Sequence, residues 1–298
     1  MYKKRLIICI ILLILTIGCA KDNQNVQLNK KDKAPQSLQD LSEGLDKLLE
    51  GVGNIERIEL EIDDMDSKNK KDDKEENKKE GDQEGQNGGG DKQSQQGGTG
   101  NSNQSSSGSN DREPKQQMGK PEKLKETWDS IDKNLEKIHS FWDAYEVDRI
   151  KKGGTTETGV EFESSINKMT KAVENRNIID IYDYGSQCYL NLKTFYDLYT
   201  DEYKGEVSKI KYMVYRYYLG SLTGNKEEVV KALKDKDESI NKIRIKLEKD
   251  GNDEKEKMEE LDKVAAGLRG LENTLEEDSK RLSIIKKDTI IKSLKLLE

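Results

Sequence analysis

The single histidine of the chain, His139, stands three residues after Glu136 in the stretch EKIH. At that spacing a carboxylate and an imidazole share one face of a helix, and paired copies of the motif hold two metal ions in some helical bundles. With no second histidine, a symmetric two-metal centre is excluded. One ion would need Glu136 and His139 with a nearby carboxylate such as Asp143 or Glu146, a set that specifies no particular metal. The plainer reading, which we take, is a helix-flank histidine beside Ile138 and Trp142, with no metal and no catalytic residue assigned. Haem-attachment, nucleophile-elbow, phosphate-loop and zinc-protease patterns do not occur. The stretch GGTTETG at 153–159 follows no strand and fits no phosphate-binding spacing, so it reads as a loop. Cys188, on the apolar side of its helix between Ile181 and Phe195, has the setting of an inert buried thiol.

Cys19 has a different context. The basic residues KKR at 3–5 precede the apolar run LIICIILLILTI at 6–17, then Gly18 and Cys19, after which the chain turns abruptly polar in AKDNQN. A bilayer-spanning helix needs about 20 apolar residues, so this shorter run fits a signal peptide. The arrangement resembles the bacterial lipoprotein signal peptide and its lipobox, with Gly18 as the small residue before the cleaved bond and Thr16 where leucine is usual. The resemblance covers about the first 20 residues. It implies cleavage between Gly18 and Cys19 and covalent diacylglycerol and acyl lipid on Cys19, with no other cofactor. It also implies attachment to the extracytoplasmic face of a bacterial cell membrane. Buried acyl chains contribute ~0.8 kcal/mol per CH₂, enough for several chains on one cysteine to hold a protein at a bilayer.

The elements that must position these residues read as helices. Hydrophobic residues make up 32% of the sequence and charged residues 37%, with three prolines. The polar excess is concentrated in residues 66–121, mixed-charge and then Gly/Ser/Gln/Asn-rich, which cannot offset the entropy cost of ordering. Five segments follow: a signal peptide (1–18), a disordered membrane-proximal stretch (19–36), an amphipathic helix (37–65), a disordered low-complexity linker (66–121) and a helical bundle (122–298). The linker is expected to carry the folded part away from the bilayer. The 37–65 helix shows one apolar stripe through Leu38, Leu41, Leu45, Leu48, Val52 and Ile55, which must pack on the bundle, on another copy or on the membrane.

Within 122–298, helices are expected at 122–151, from Phe162 through Val173, at 178–203 and at 206–222. Two more follow, the last broken near Lys287–Asp288. Asn225 with Glu228 forms a capping box, and Gly224 ends the helix before it. The fold class is all-α, an antiparallel helical bundle; the alternative is a stack of helical hairpins resembling tetratricopeptide repeats, although no copy recurs at their period.

Ten of the twelve tyrosines lie between Tyr182 and Tyr218, with Tyr182, Tyr189, Tyr196 and Tyr203 spaced by seven. The helix at 206–222 is apolar on two sides. It is therefore either central in the bundle or presents Tyr212, Tyr215 and Leu219 to a partner. The 52 basic and 59 acidic residues are interspersed, which argues against nucleic acid. The expected function is a membrane-anchored protein whose helical domain binds a protein or other envelope partner without catalysis. The rival is an envelope enzyme or metal-handling bundle with its site near His139.

Overall fold

The computed structural model describes residues 32–61, 119–250, 254–274, 277 and 279–298, so the signal peptide, Gly18, Cys19 and most of the low-complexity segment lie outside the described residues. The described residues form an all-α antiparallel bundle. Its helices are α1 (Gln36–Glu59), α2 (Lys120–Lys151), α3 (Thr156–Glu174), α4 (Ile178–Tyr196), α5 (Glu202–Thr223), α6 (Lys226–Leu233), α7 (Lys236–Asp250), α8 (Lys255–Thr274) and α9 (Lys280–Lys295). Among the described residues no helix is long and apolar enough to cross a membrane.

The apolar stripe of α1 packs into the bundle. Leu38, Leu41, Leu48, Val52 and Ile55 are fully buried, and α2 runs antiparallel along the helix they occupy. Gly51 permits the close approach: a Cβ there would lie 2.8 Å from Ile131 Cγ1. The hairpin is pinned at both ends. At one, Lys120 Nζ donates to the Glu59 carbonyl oxygen (3.2 Å) and lies 3.5 Å from the Glu61 carboxylate. At the other, Lys152 pairs with Asp32, whose carbonyl accepts the Thr200 N–H at 2.8 Å. The described residues flanking 62–118, Glu61 and Lys120, therefore sit together at the same end of one hairpin.

The middle of the bundle is the antiparallel pair α4–α5, with α6, α7 and α9 also packed on α5. This central position accounts for the two apolar sides of α5: Val207, Ile210, Val214, Tyr217 and Tyr218 are all buried. A second cluster joins α2, α3 and α4 through Trp142, Tyr145, Phe162 and Phe195, with ring centroids from 4.7 Å (Trp142–Phe162) to 6.3 Å (Trp142–Tyr145). Arg149, 1% exposed, covers it from 5.7 Å above the Trp142 ring. Only 153–155 form a loop, because Thr155 caps α3 by accepting the Thr158 N–H, so Thr156–Gly159, expected as loop, are the first turn of α3. The loop and that turn wrap the guanidinium. Arg149 Nη1 donates to the Thr155 carbonyl oxygen at 2.5 Å, and a Cβ on Gly159 would fall 2.2 Å from Nη2.

Local signals set several boundaries. Asn225 accepts the Glu228 N–H (3.2 Å) to cap α6, and Gly224 ends α5 at φ 71°. Other boundaries differ from expectation. α4 stops at Tyr196, so Tyr199 lies in the connection and Tyr203 begins α5. The last break falls between Thr274 and Lys280, and α9 runs unbroken through Lys287–Asp288 because Ser279 caps it by accepting the Leu282 N–H (3.2 Å).

Replacing residues 62–118 with about eight Gly/Ser residues should leave the helical circular dichroism intact and raise the melting midpoint. In the unfolded chain the shorter loop costs roughly 2 kcal/mol less to close. A loss of cooperative melting would show that the segment is needed for the fold.

Candidate functional site

Besides its leucines, α1 brings two carboxylates inside the bundle: Glu56 is 0% exposed and Asp46 6%. Glu56 accepts from the hydroxyls of Tyr182 (2.9 Å) and Tyr218 (2.6 Å), and Lys280 Nζ lies 3.3 Å away. Lys287 Nζ donates to the Tyr182 hydroxyl (3.1 Å), pairs with Asp288 (3.1 Å) and sits 4.8–4.9 Å from the centroids of the Tyr182 and Tyr218 rings. Burial first, then the Glu56 charge, pushes both phenols well above their ordinary range. This cluster is closed and paired throughout.

About three helical turns toward the N-terminus, the same unit recurs with a difference. Tyr189 donates to Asp46 Oδ1 (2.5 Å), and Lys211 Nζ reaches both oxygens of Asp46, at 2.9 and 2.7 Å. Lys211, fully buried, also donates to Glu298 Oε2 at 2.7 Å. Burial pulls the Lys211 ammonium down, but Asp46 and Glu298 outweigh it and leave it above the usual lysine range. Desolvation pushes the Glu298 carboxyl up to about 7; Lys211 opposes the shift and Asp46 adds to it.

This second cluster opens to solvent. Asp46 and Glu298 line a depression of about 360 Å³ with Ser42, Tyr196 and Lys204. Ser42 is 4% exposed, and its Oγ faces the Tyr196 hydroxyl without a hydrogen bond of ordinary length. At the rim Lys47 pairs with Glu43 (2.6 Å) and Lys295 with Glu50 (2.6 Å), whereas Lys204 makes no ion pair among the described residues. A depression of this size with a few convergent polar groups suits a small ligand.

The residues singled out from sequence lie elsewhere. His139 Nε2 meets Thr170 Oγ1 at 2.9 Å across α2 and α3. Because Thr170 donates its own proton to the Ile166 carbonyl, the imidazole is the donor there. Glu136 and Asp143 are exposed on α2, and among the described residues no group of three His, Cys, Asp or Glu is placed to hold a metal ion. Cys188 is buried and unbridged, its thiol pushed up by desolvation. Tyr215 and Leu219 are not on the surface: they are 3% and 5% exposed. Tyr215 stacks between Tyr182 (5.5 Å) and Tyr189 (5.7 Å), and only Tyr212 is partly open. The central position of α5 turns both of its apolar sides inward.

Asp46, Lys211 and Glu298 were missed because each reads as an ordinary solvated charge. One signal was present. Asp46 interrupts the run between Leu45 and Leu48–Leu49, and the tyrosines of α4 recur every seven residues, placing a row of hydroxyl donors opposite α1. Comparison of the chain with protein-family models, curated proteins and solved structures found no match.

Two predictions follow from the buried charges. The folded state holds the Glu298 proton to higher pH than the unfolded chain. Its contribution to stability is therefore complete below the ordinary carboxylate range and is lost as pH rises through about 7. The melting midpoint should fall between pH 5.5 and pH 8, and Glu298→Gln should flatten that slope. In urea unfolding, Glu56→Ala should cost about 3–5 kcal/mol by stranding buried partners, while Glu59→Ala, exposed one turn on, should stay within about 0.5 kcal/mol.

Proposed function

We propose that this chain is a lipid-anchored protein on the extracytoplasmic face of a bacterial cell membrane, whose helical body binds an envelope partner or ligand without catalysing a reaction. The observation that carries the reading is the sequence from Lys3 to Cys19: basic start, short apolar run, then Gly18–Cys19. Diacylglycerol and acyl chains on Cys19 supply the anchor.

The bundle geometry supports a body held near the bilayer. Only about a dozen residues separate Cys19 from Asp32, where the described chain enters the bundle, and fully extended they span at most roughly 45 Å. α1 is 24 residues long, so Asp32 and the exit of residues 62–118 stand roughly 36 Å apart at opposite ends of the α1–α2 hairpin. The depression lies along the half of α1 nearer the anchor, between Gln39 and Glu50.

Mass spectrometry of the protein extracted from its own membrane tests the reading. We expect a chain beginning at Cys19 and carrying diacylglycerol with further acyl groups, and we expect Cys19→Ala to remain as unprocessed, unlipidated precursor. A mature chain cut elsewhere and free of lipid would sink the anchor and the location together.

A further inference from the structure

We propose that the depression between α1, α4, α5 and the α9 end binds a small zwitterion of the amino-acid class, its ammonium received at the Asp46–Glu298 floor and its carboxylate at Lys204. The inference rests on the reading of the bundle as a binding module and names its ligand.

The charge inventory of the cavity points there. At the floor, two carboxylates share one ammonium: Lys211 bonds both oxygens of Asp46 and one oxygen of Glu298. Once both acids are ionised, the floor holds one negative charge more than it can neutralise. At the rim, Lys47 and Lys295 are each occupied by a glutamate at 2.6 Å, which leaves Lys204 as the rim cation with no ion pair among the described residues. One surplus anion at the bottom and one surplus cation at the mouth complement a ligand carrying both charges.

A second observation is independent of charge. Ser42 Oγ is buried, lines the same cavity and faces the Tyr196 hydroxyl without a hydrogen bond of ordinary length, so its hydrogen-bonding capacity is left for a ligand or water to complete. A hydroxyl can accept from an ammonium and donate to a carboxylate, so it serves either end of a zwitterion. The volume of about 360 Å³ lies at the small end of ligand cavities, which excludes a folded partner and suits a molecule of a few heavy atoms beyond the two charged groups. The Glu56 cluster is an internal comparison: its tyrosines and lysines each have a partner among the described residues.

The test is isothermal titration calorimetry on the full chain in mild non-ionic detergent, at pH 8. The probes are the common L-amino acids, with ethylamine for the ammonium alone and acetate for the carboxylate alone. We expect at least one amino acid to bind at one site per chain, with either fragment weaker by roughly tenfold or more. Glu298→Gln and Lys204→Met should each weaken that amino acid by roughly tenfold or more, and Ser42→Ala by several-fold, while Lys123→Met on exposed α2 should change nothing. Lys204 is half-exposed at the rim and carries no internal pairing, so its variant keeps the test open if Glu298→Gln unfolds. No heat from any amino acid at about 10 mM would overturn the proposal. So would binding that survives both charge variants, or ethylamine binding as tightly as the amino acid. The lipid on Cys19 is read separately by mass, so an acylated chain that binds no amino acid loses only this inference, and a binding chain without lipid loses only the location.

Discussion

The bundle depends on neutralising two carboxylates that α1 carries out of water. An ionised Asp or Glu costs several kcal/mol to bury, and that cost is offset only where donors and cations are already in place. Here the donors are tyrosines and the cations lysines: Tyr182 and Tyr218 for Glu56, with Lys287 behind them, and Tyr189 and Lys211 for Asp46. Hydrogen bonds to charged groups contribute about 1.5–3 kcal/mol each, so the sum against the desolvation cost leaves little net stability. What the arrangement fixes is register. A leucine stripe alone tolerates a slide of one turn with modest apolar loss, whereas such a slide would carry Asp46 and Glu56 away from every partner at once.

That constraint explains features that otherwise look unrelated. The seven-residue spacing of tyrosines on α4 sets Tyr182, Tyr189 and Tyr196 along one side, opposite Glu56, Asp46 and Ser42 of α1 in turn. α5 is tyrosine-rich and apolar on two sides because it backs this layer while packing on α6, α7 and α9.

Legibility in the sequence followed the range of the interaction. Helices, the Asn225 cap, the Gly224 stop and the stripe of α1 were readable, because each rests on residues three to seven positions apart. The break near Thr274 was placed too late, at Lys287–Asp288, because a charged pair there reads as a solvated turn although Lys287 lies beneath two tyrosine rings. Where α1 docks was not readable at all: it depends on pairs such as Asp46 with Lys211, contacts across the whole length of the chain. The same blindness hid the candidate site. His139 stood out by being unique, yet its imidazole is spent on Thr170, while the residues that line the depression are of the commonest charged types.

The two carboxylate clusters together separate structure from function within one fold. Both use the same unit, a carboxylate on α1, a tyrosine on α4 and a buried lysine. At Glu56 the unit is closed: each buried group has its partner, and anything added would have to break a bond already made. At Asp46 it is left open on one side, with an extra carboxylate from Glu298, a Ser42 hydroxyl short of an ordinary hydrogen bond and a depression rimmed by Lys204. Stability alone would favour closing that side, since surplus negative charge and an incompletely bonded hydroxyl both cost free energy. Desolvation pushes the Glu298 carboxyl up to about 7, the direction such a cost takes. The unit is thus complete at Glu56 and one cation short at Asp46, and that asymmetry is what sets the second cluster apart as the candidate site.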